Sequence, residues 1–282
     1  MDRERIKLRM AKDMSFRAIV ILLSFTSMVP FFLILFYILR NGFSSLSWEF
    51  LTELPKPVGE AGGGIANAIV GSLLLIMIAS LPAIPLGITA GIYLSEHKRG
   101  KLSYLLRLAV EVLQGTPSIV IGIIAYLWLV ILMGGFSALS GGIALGIMML
   151  PVIVRATEET LKLIPDSLKE ASLALGVPYY RTILKVILPA GFSGITTGIL
   201  ISVARIAGET APLLFTAFGN PFMNVNIIKP VNALPLLIYN YATSPYPEWH
   251  SIAWGASCVL VGVVLVLNLV TRIMARRWKV QF

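Results

Sequence analysis

Six long apolar runs, parted by polar segments, set the pattern of the chain: roughly 17–39, 66–94, 104–132, 136–154, 191–218 and 251–273. About 20 consecutive apolar residues carry a helix across the hydrocarbon core of a bilayer, so each run predicts a transmembrane helix. The second, third and fifth runs are longer than that, which predicts tilt, kinks or extension past the bilayer. Pro82, Pro85, Pro117, Pro151 and Pro212 are placed to supply kinks. Each removes a backbone donor, and neighbouring helices, water or hydroxyl side chains must make up the loss. The first run exceeds 20 apolar residues and has no clear small-residue cleavage site, so it is expected to be a retained span rather than a signal peptide.

The longest polar interval, Arg155 to Gly191, carries its own helical pattern. Pro165 suits the first position of a helix, with Asp166 favourable in its first turn. Leu168, Ala171, Ser172 and Leu175 then recur at helical offsets. Gly176 suits a C-terminal cap. Pro178 opens a second pattern through Tyr180, Ile183, Leu184 and Ile187, which Pro189 is expected to end. Two short helices meeting at a glycine form a ridge outside the membrane. By pattern alone, such a ridge packs on its own bundle or docks a partner.

Composition agrees with the pattern. Hydrophobic residues make up 57% of the 282 and charged residues 13%, against about 25% charged in a soluble domain. The net charge of +9 is a topology signal. Nineteen of the 23 lysines and arginines fall on one side of the predicted spans, three (Arg40, Lys56, Lys229) on the other, and Arg205 within a span. The positive-inside rule then puts both termini in the cytoplasm. Nucleic-acid binding is not expected. The expected division is a cytoplasmic N-terminal segment (1–16), a transmembrane permease domain (17–273) with its cytoplasmic loop at 155–190, and a basic tail (274–282). Trp48, Tyr246, Trp249 and Trp278 fall near predicted interfaces. Cys258 has no partner for an internal disulfide, and His97 and His250 sit near span ends without metal-ligand spacing. No metal and no cofactor are expected. "GEAGGGI" (59–65) lacks the ending of a phosphate-binding P-loop, and no ATP site occurs elsewhere. HExxH, paired intramembrane aspartates and GxSG are all absent, so an intramembrane enzyme is not expected.

Candidate chemistry lies inside the fifth run, in "ARIAGETAPLL" (204–214). Arg205 and Glu209 stand four residues apart near its expected middle. Each central charge costs at least about 2.5–3.5 kcal/mol to insert, so the two must pair, face water, or both. Either they tie helices together or they serve a permeating ion. A guanidinium presents a planar fork to an oxyanion, and a carboxylate beside it can accept a hydrogen bond from an anion that carries a proton. That favours phosphate over sulfate near neutral pH. Arg155, at the expected end of the fourth span, either serves the same route or snorkels to headgroups. Thr116–Pro117 reads as a cap and first residue of a restarted helix near the bilayer midplane, whose N-terminus would favour an anion; the alternative is a proline kink satisfied by the threonine hydroxyl. Glu111, Gln114 and Ser118 flank this break.

Two resemblances sharpen the reading. "EASLALGVPYYRTILKVILP" resembles the EAA loop of ABC importer permeases, with Glu170, Ala171, Gly176 and Pro189 at its marked positions, and with Ser172 and Val186 replacing an alanine and an isoleucine. The resemblance implies a type I permease fold, six transmembrane helices with a cytoplasmic coupling helix that docks on an ATPase subunit. "ARIAGETAPLLFTA", "PVIVRATEE", "EVLQGTPSIVIGI" and, more loosely, "NALPLLIYNYATSP" resemble the PstA-type permeases of the phosphate-specific ABC importer family, over about residues 60–260. That resemblance implies a phosphate permease subunit in the inner membrane. Its pathway residues would be Arg205, Glu209, Arg155 and Thr116. Its partners would be a PstC-type permease, a PstB-type ATPase dimer that hydrolyses the ATP, and a PstS-type binding protein. A permease for molybdate or sulfate has the same architecture, and a stand-alone anion channel is the remaining alternative.

Overall fold

The computed structural model describes residues 2–60 and 62–277. Ala61 of the 59–65 connector, Trp278 and Lys279 lie outside the described residues. Within them the chain is helical, and the only pairing of extended backbone is an isolated bridge between Phe218 and Val231.

In chain order, α1 (Asp2–Gly42) leads through a 3-10 turn to α2 (Trp48–Thr52), whose N-terminus Ser47 caps by accepting from the Phe50 N–H at 3.1 Å. Then come α3 (Ala66–Glu96), α4 (Lys101–Gly115) and α5 (Ser118–Ala125). The last passes through a π-helical turn, Tyr126–Val130, into α6 (Ile131–Met133). The rest are α7 (Ala138–Lys162), α8 (Asp166–Ala174), α9 (Tyr179–Thr182), α10 (Leu188–Ala207), α11 (Ala211–Thr216), α12 (Leu234–Ala242) and α13 (Pro247–Arg277).

The core forms around α3 and α7. Leu75, Ala79 and Ala83 of α3 meet Leu145, Met149 and Ile153 of α7, and Ile206, Leu213 and Leu236 close the cluster. Small residues bring the two helices together. A Cβ on Gly142 would lie 2.3 Å from an Ile78 methyl, and one on Gly91 would lie 2.5 Å from the Thr157 Cβ. Between helices in lipid, close packing of this kind substitutes for hydrophobic drive. By contrast, α1 stands apart and meets the bundle near its C-terminus, where Gly42 abuts the Trp254 carbonyl of α13.

Among the described residues, five helices are long and apolar enough to cross a membrane, and α4 with α5–α6 makes a sixth if that pair is one span. The pair bends by 105°, so the third expected span is two helices meeting at a corner, not one tilted rod. The corner is Thr116–Pro117, both residues extended, at φ −77°, ψ 127° and φ −56°, ψ 137°. A proline excludes the helical conformation from the residue before it. Thr116 does not cap α5 as expected. Its hydroxyl turns back and donates to the Val112 carbonyl at 2.7 Å, and Pro117 occupies the N-cap position.

The fifth expected span is also interrupted. The helix stops at Ala207 and resumes at Ala211. Pro212 lacks the N–H that would bond to the Gly208 carbonyl and its ring crowds that carbonyl, so the four-residue ladder cannot pass through. Pro189 behaves differently from expectation and does not end its helix. Tyr179 to Ala207 run as one length, with Ile183–Ile187 widened into a π-helical turn in which the Leu188 N–H bonds to the Ile183 carbonyl. The wider turn takes up the donor that the proline lacks and the room its ring needs. The ridge therefore has one short helix, α8, and a second that continues into the bundle.

Candidate functional site

Three sets of side chains occupy the places that the sequence singles out. The first is at the interrupted helix. Arg205 lies not within a continuous helix but in the last turn of α10, where a cation sits favourably near the unpaired carbonyls of a helix end. Glu209 stands in the break itself. The ladder tightens just before it, with Gly208 N–H to Arg205 O and Glu209 N–H to Ile206 O both at 3.2 Å. The carboxylate still comes within 3.8 Å of the guanidinium Nε. That is an ion pair beyond hydrogen-bonding distance. The Arg205 side chain is 48% exposed and that of Glu209 19%, so the guanidinium keeps donors to offer.

The helices that follow the two breaks, α5 and α11, pack on one another. Gly122 of α5 packs so tightly on α11 that a Cβ there would lie 2.7 Å from the Pro212 Cα. Four residues on, Tyr126 meets Phe136, which stacks on Phe218 beyond the end of α11.

The second set surrounds Arg155, which lies about two turns inside α7 rather than at its end. Its guanidinium is 3.5 Å from Glu158 and 3.9 Å from Glu111 of α4. Glu158 was not singled out from the sequence, yet it is the centre of the cluster. Its side chain is only 1% exposed, and Arg107 Nε (3.0 Å) and Lys162 Nζ (2.8 Å) also bond to it. Arg107 donates further to the carbonyls of Leu94 and Lys98, fastening α4 to the end of α3. A buried carboxylate needs such partners, because its desolvation costs several kcal/mol. The signal was present in "RATEETLK", which sets a carboxylate three residues after one cation and four before another.

The third set is the ridge. Gly176 has φ +77°, and the bonds from Gly176 N–H to Leu173 O (2.9 Å) and Val177 N–H to Ser172 O (3.3 Å) make the paired closure expected of a glycine cap. Pro165 precedes α8 at its N-cap instead of entering it. Glu170 and Ala171 are exposed, and Leu175 is 83% exposed. Ser172, which replaces the motif's alanine, is buried and shares a 2.9 Å hydrogen bond with Thr182. His97 stacks on Tyr93 and His250 bonds to the Ser244 carbonyl, and among the described residues no metal-binding cluster occurs.

Residues 83–280 match the model of the binding-protein-dependent transport system inner membrane component family. The chain belongs to this family. It is a multi-pass inner-membrane permease of a binding-protein-dependent ABC importer, working with a binding protein and with an ATPase on a separate subunit. The phosphate transport system permease protein PstA of Yersinia pestis is 44% identical over 247 residues, 87% of this chain and 84% of that one. The PstA 1 protein of Mycobacterium tuberculosis is 36% identical over 273 residues, 95% and 88% of the two chains. The fold matches a subunit of a bacterial alginate ABC transporter solved with its periplasmic protein, at a TM-score of 0.66 and 14% identity, over 95% of this chain and 98% of that one.

Proposed function

We propose that the chain is the permease subunit of an ATP-driven phosphate importer and forms half of the translocation pathway. Its relatives carry the substrate in their names. The observation that carries the reading in this molecule is the half-exposed Arg205 guanidinium at an interrupted helix, beside a carboxylate too distant to consume its donors. Its planar fork suits two oxygens of a phosphate. Glu209 accepts a hydrogen bond from the P–OH that phosphate carries near neutral pH and sulfate lacks. α5 packs on α11, and its N-terminus adds N–H groups and a positive dipole end. Arg155, held by carboxylates on two sides, offers a second cationic station, while Thr116 shapes the corner through its bond to Val112.

The second half of the pathway is a PstC-type permease, and a PstB-type ATPase dimer and a PstS-type binding protein complete the assembly. Both termini are cytoplasmic. The loaded binding protein docks on external segments around 41–64 and 220–248. ATP-driven closure of the ATPases draws the ridges together through Glu170, Ala171 and the exposed leucines, and opens the pathway outward; hydrolysis reverses it. Gly176 closes the coupling helix, and the π-turn before Pro189 carries its partner helix into the bundle.

The test is phosphate uptake by the co-expressed complex in liposomes. Arg205→Gln is expected to lower uptake at least tenfold, with Arg205→Lys between it and wild type because the fork is lost and the charge kept. Glu209→Gln is expected to narrow the preference for phosphate over sulfate. Unchanged uptake in Arg205→Gln rules out its place in the pathway.

A further inference from the structure

The coupling ridge is fastened to the bundle at a place its chain neighbours do not supply. In sequence α8 and α9 lie between α7 and α10, yet Lys169 of α8 reaches the last residue of α3. Its ammonium donates to a Glu96 carboxylate oxygen, and the Tyr179 hydroxyl of α9 donates to the same oxygen. Lys169 Nζ also lies 3.2 Å from the Tyr179 hydroxyl and 4.8 Å from its ring centroid. The Lys169 and Glu96 side chains are 24% and 13% exposed. Burial opposes the lysine's charge, and the contacts with Glu96 and Tyr179 outweigh it, so its pKa lies above the ordinary value.

The ridge is also tied within itself. The Ser172–Thr182 bond joins α8 to α9, both hydroxyls buried, and the Gly176 cap fixes the turn between them. On its other side, the same end of α3 is gripped by the Arg107 guanidinium through the Leu94 and Lys98 carbonyls, and the Nε of that guanidinium holds Glu158, the partner of Arg155.

We propose that the C-terminal end of α3 is the mechanical link between the ATPase-facing ridge and the Arg155 cluster, with Lys169, Glu96 and Tyr179 as positioning residues that clamp the ridge to it. The link rests on the transport function proposed above and adds the route by which movement of α8 reaches the pathway. Spatial continuity alone does not establish coupling; a shared element whose equilibrium both sites bias does, and in the proposed link that part falls to the end of α3.

The assembled complex, with partner permease, ATPases and phosphate-loaded binding protein, tests it in liposomes by phosphate imported per ATP hydrolysed. Glu96→Gln and Lys169→Met are expected to lower this ratio at least fivefold and Tyr179→Phe about twofold. The reversed pair E96K/K169E is expected to regain at least half of the wild-type ratio. Wild-type ratios in both Glu96→Gln and Lys169→Met overturn the clamp, as does a reversed pair that assembles without recovery. Amide hydrogen exchange gives a readout independent of substrate. In wild type, ATP is expected to change exchange in 166–175 and 93–98 together; in Lys169→Met only 166–175 responds. An equal response of 93–98 in that variant also overturns the clamp, whereas a wild-type complex that imports no phosphate overturns only the transport function.

Discussion

Glu158 shows how much one side chain can organise. Arg107, Arg155 and Lys162 converge on it with side chains 25%, 40% and 33% exposed, while its own is sealed. Replacing it with glutamine leaves three cations repelling one another around a neutral amide. Breaking a buried pair costs about 3–5 kcal/mol, and solvent at the three cations screens part of this. Glu158→Gln is therefore expected to lose about 2–3 kcal/mol, read as a lowered thermal midpoint in detergent. An unchanged midpoint would show the cluster to behave as a surface ion network. Arg205 and Glu209 teach a different lesson at this scale. Their four-residue spacing signals that they meet, and they do, at 3.8 Å. They meet across the end of a helix, however, because Pro212 and Gly208 interrupt it, and a spacing argument assumes the helix continues.

Among the elements, prolines decide the outcome, each according to its setting. Pro117 turns a corner of 105°, since the residue before it is forced into an extended conformation. Pro212 stops a helix four residues after Gly208. Pro189 is absorbed by a π-turn, and the helix continues on both sides of it. Chain pattern marks all three positions as irregular without distinguishing break, corner and bulge, because the choice depends on which neighbours compensate the missing donor. Gly176 was legible, since left-handed backbone after a helix favours glycine. A Cβ there meets nothing within 4 Å, so Gly176→Ala isolates the backbone effect. It is expected to cost about 1 kcal/mol and Gly176→Asn less, measured as a shift in thermal midpoint. Equal stability of both variants would show that the turn relaxes freely.

At the scale of the whole molecule, the distribution of lysine and arginine sets an orientation that labelling can check. The chain's single cysteine, Cys258, is buried in α13. Lys229→Cys is expected to react with a membrane-impermeant maleimide from outside intact cells, and Lys98→Cys only after lysis. The opposite pattern inverts the topology. Assembly gives a second check. Leu175 projects from the ridge with most of its surface uncovered, on the face that the proposed coupling gives to the ATPase. Leu175→Glu is expected to abolish co-purification of the ATPase subunits while the permease still inserts; undiminished co-purification would remove Leu175 from that contact.

The sequence by itself determined the membrane class, the apolar runs, the ridge with its glycine cap and the charged stretch around Arg205, because each follows from residue type and short-range spacing. Only the tertiary structure decided that Arg107 reaches Glu158, that α5 packs on α11, and that α8 is tied to α3 through Glu96. Those pairings join residues 51 to 90 positions apart. Hydropathy and periodicity carry no information over such distances; desolvation does, since every buried charge has to find its partner wherever the fold brings one.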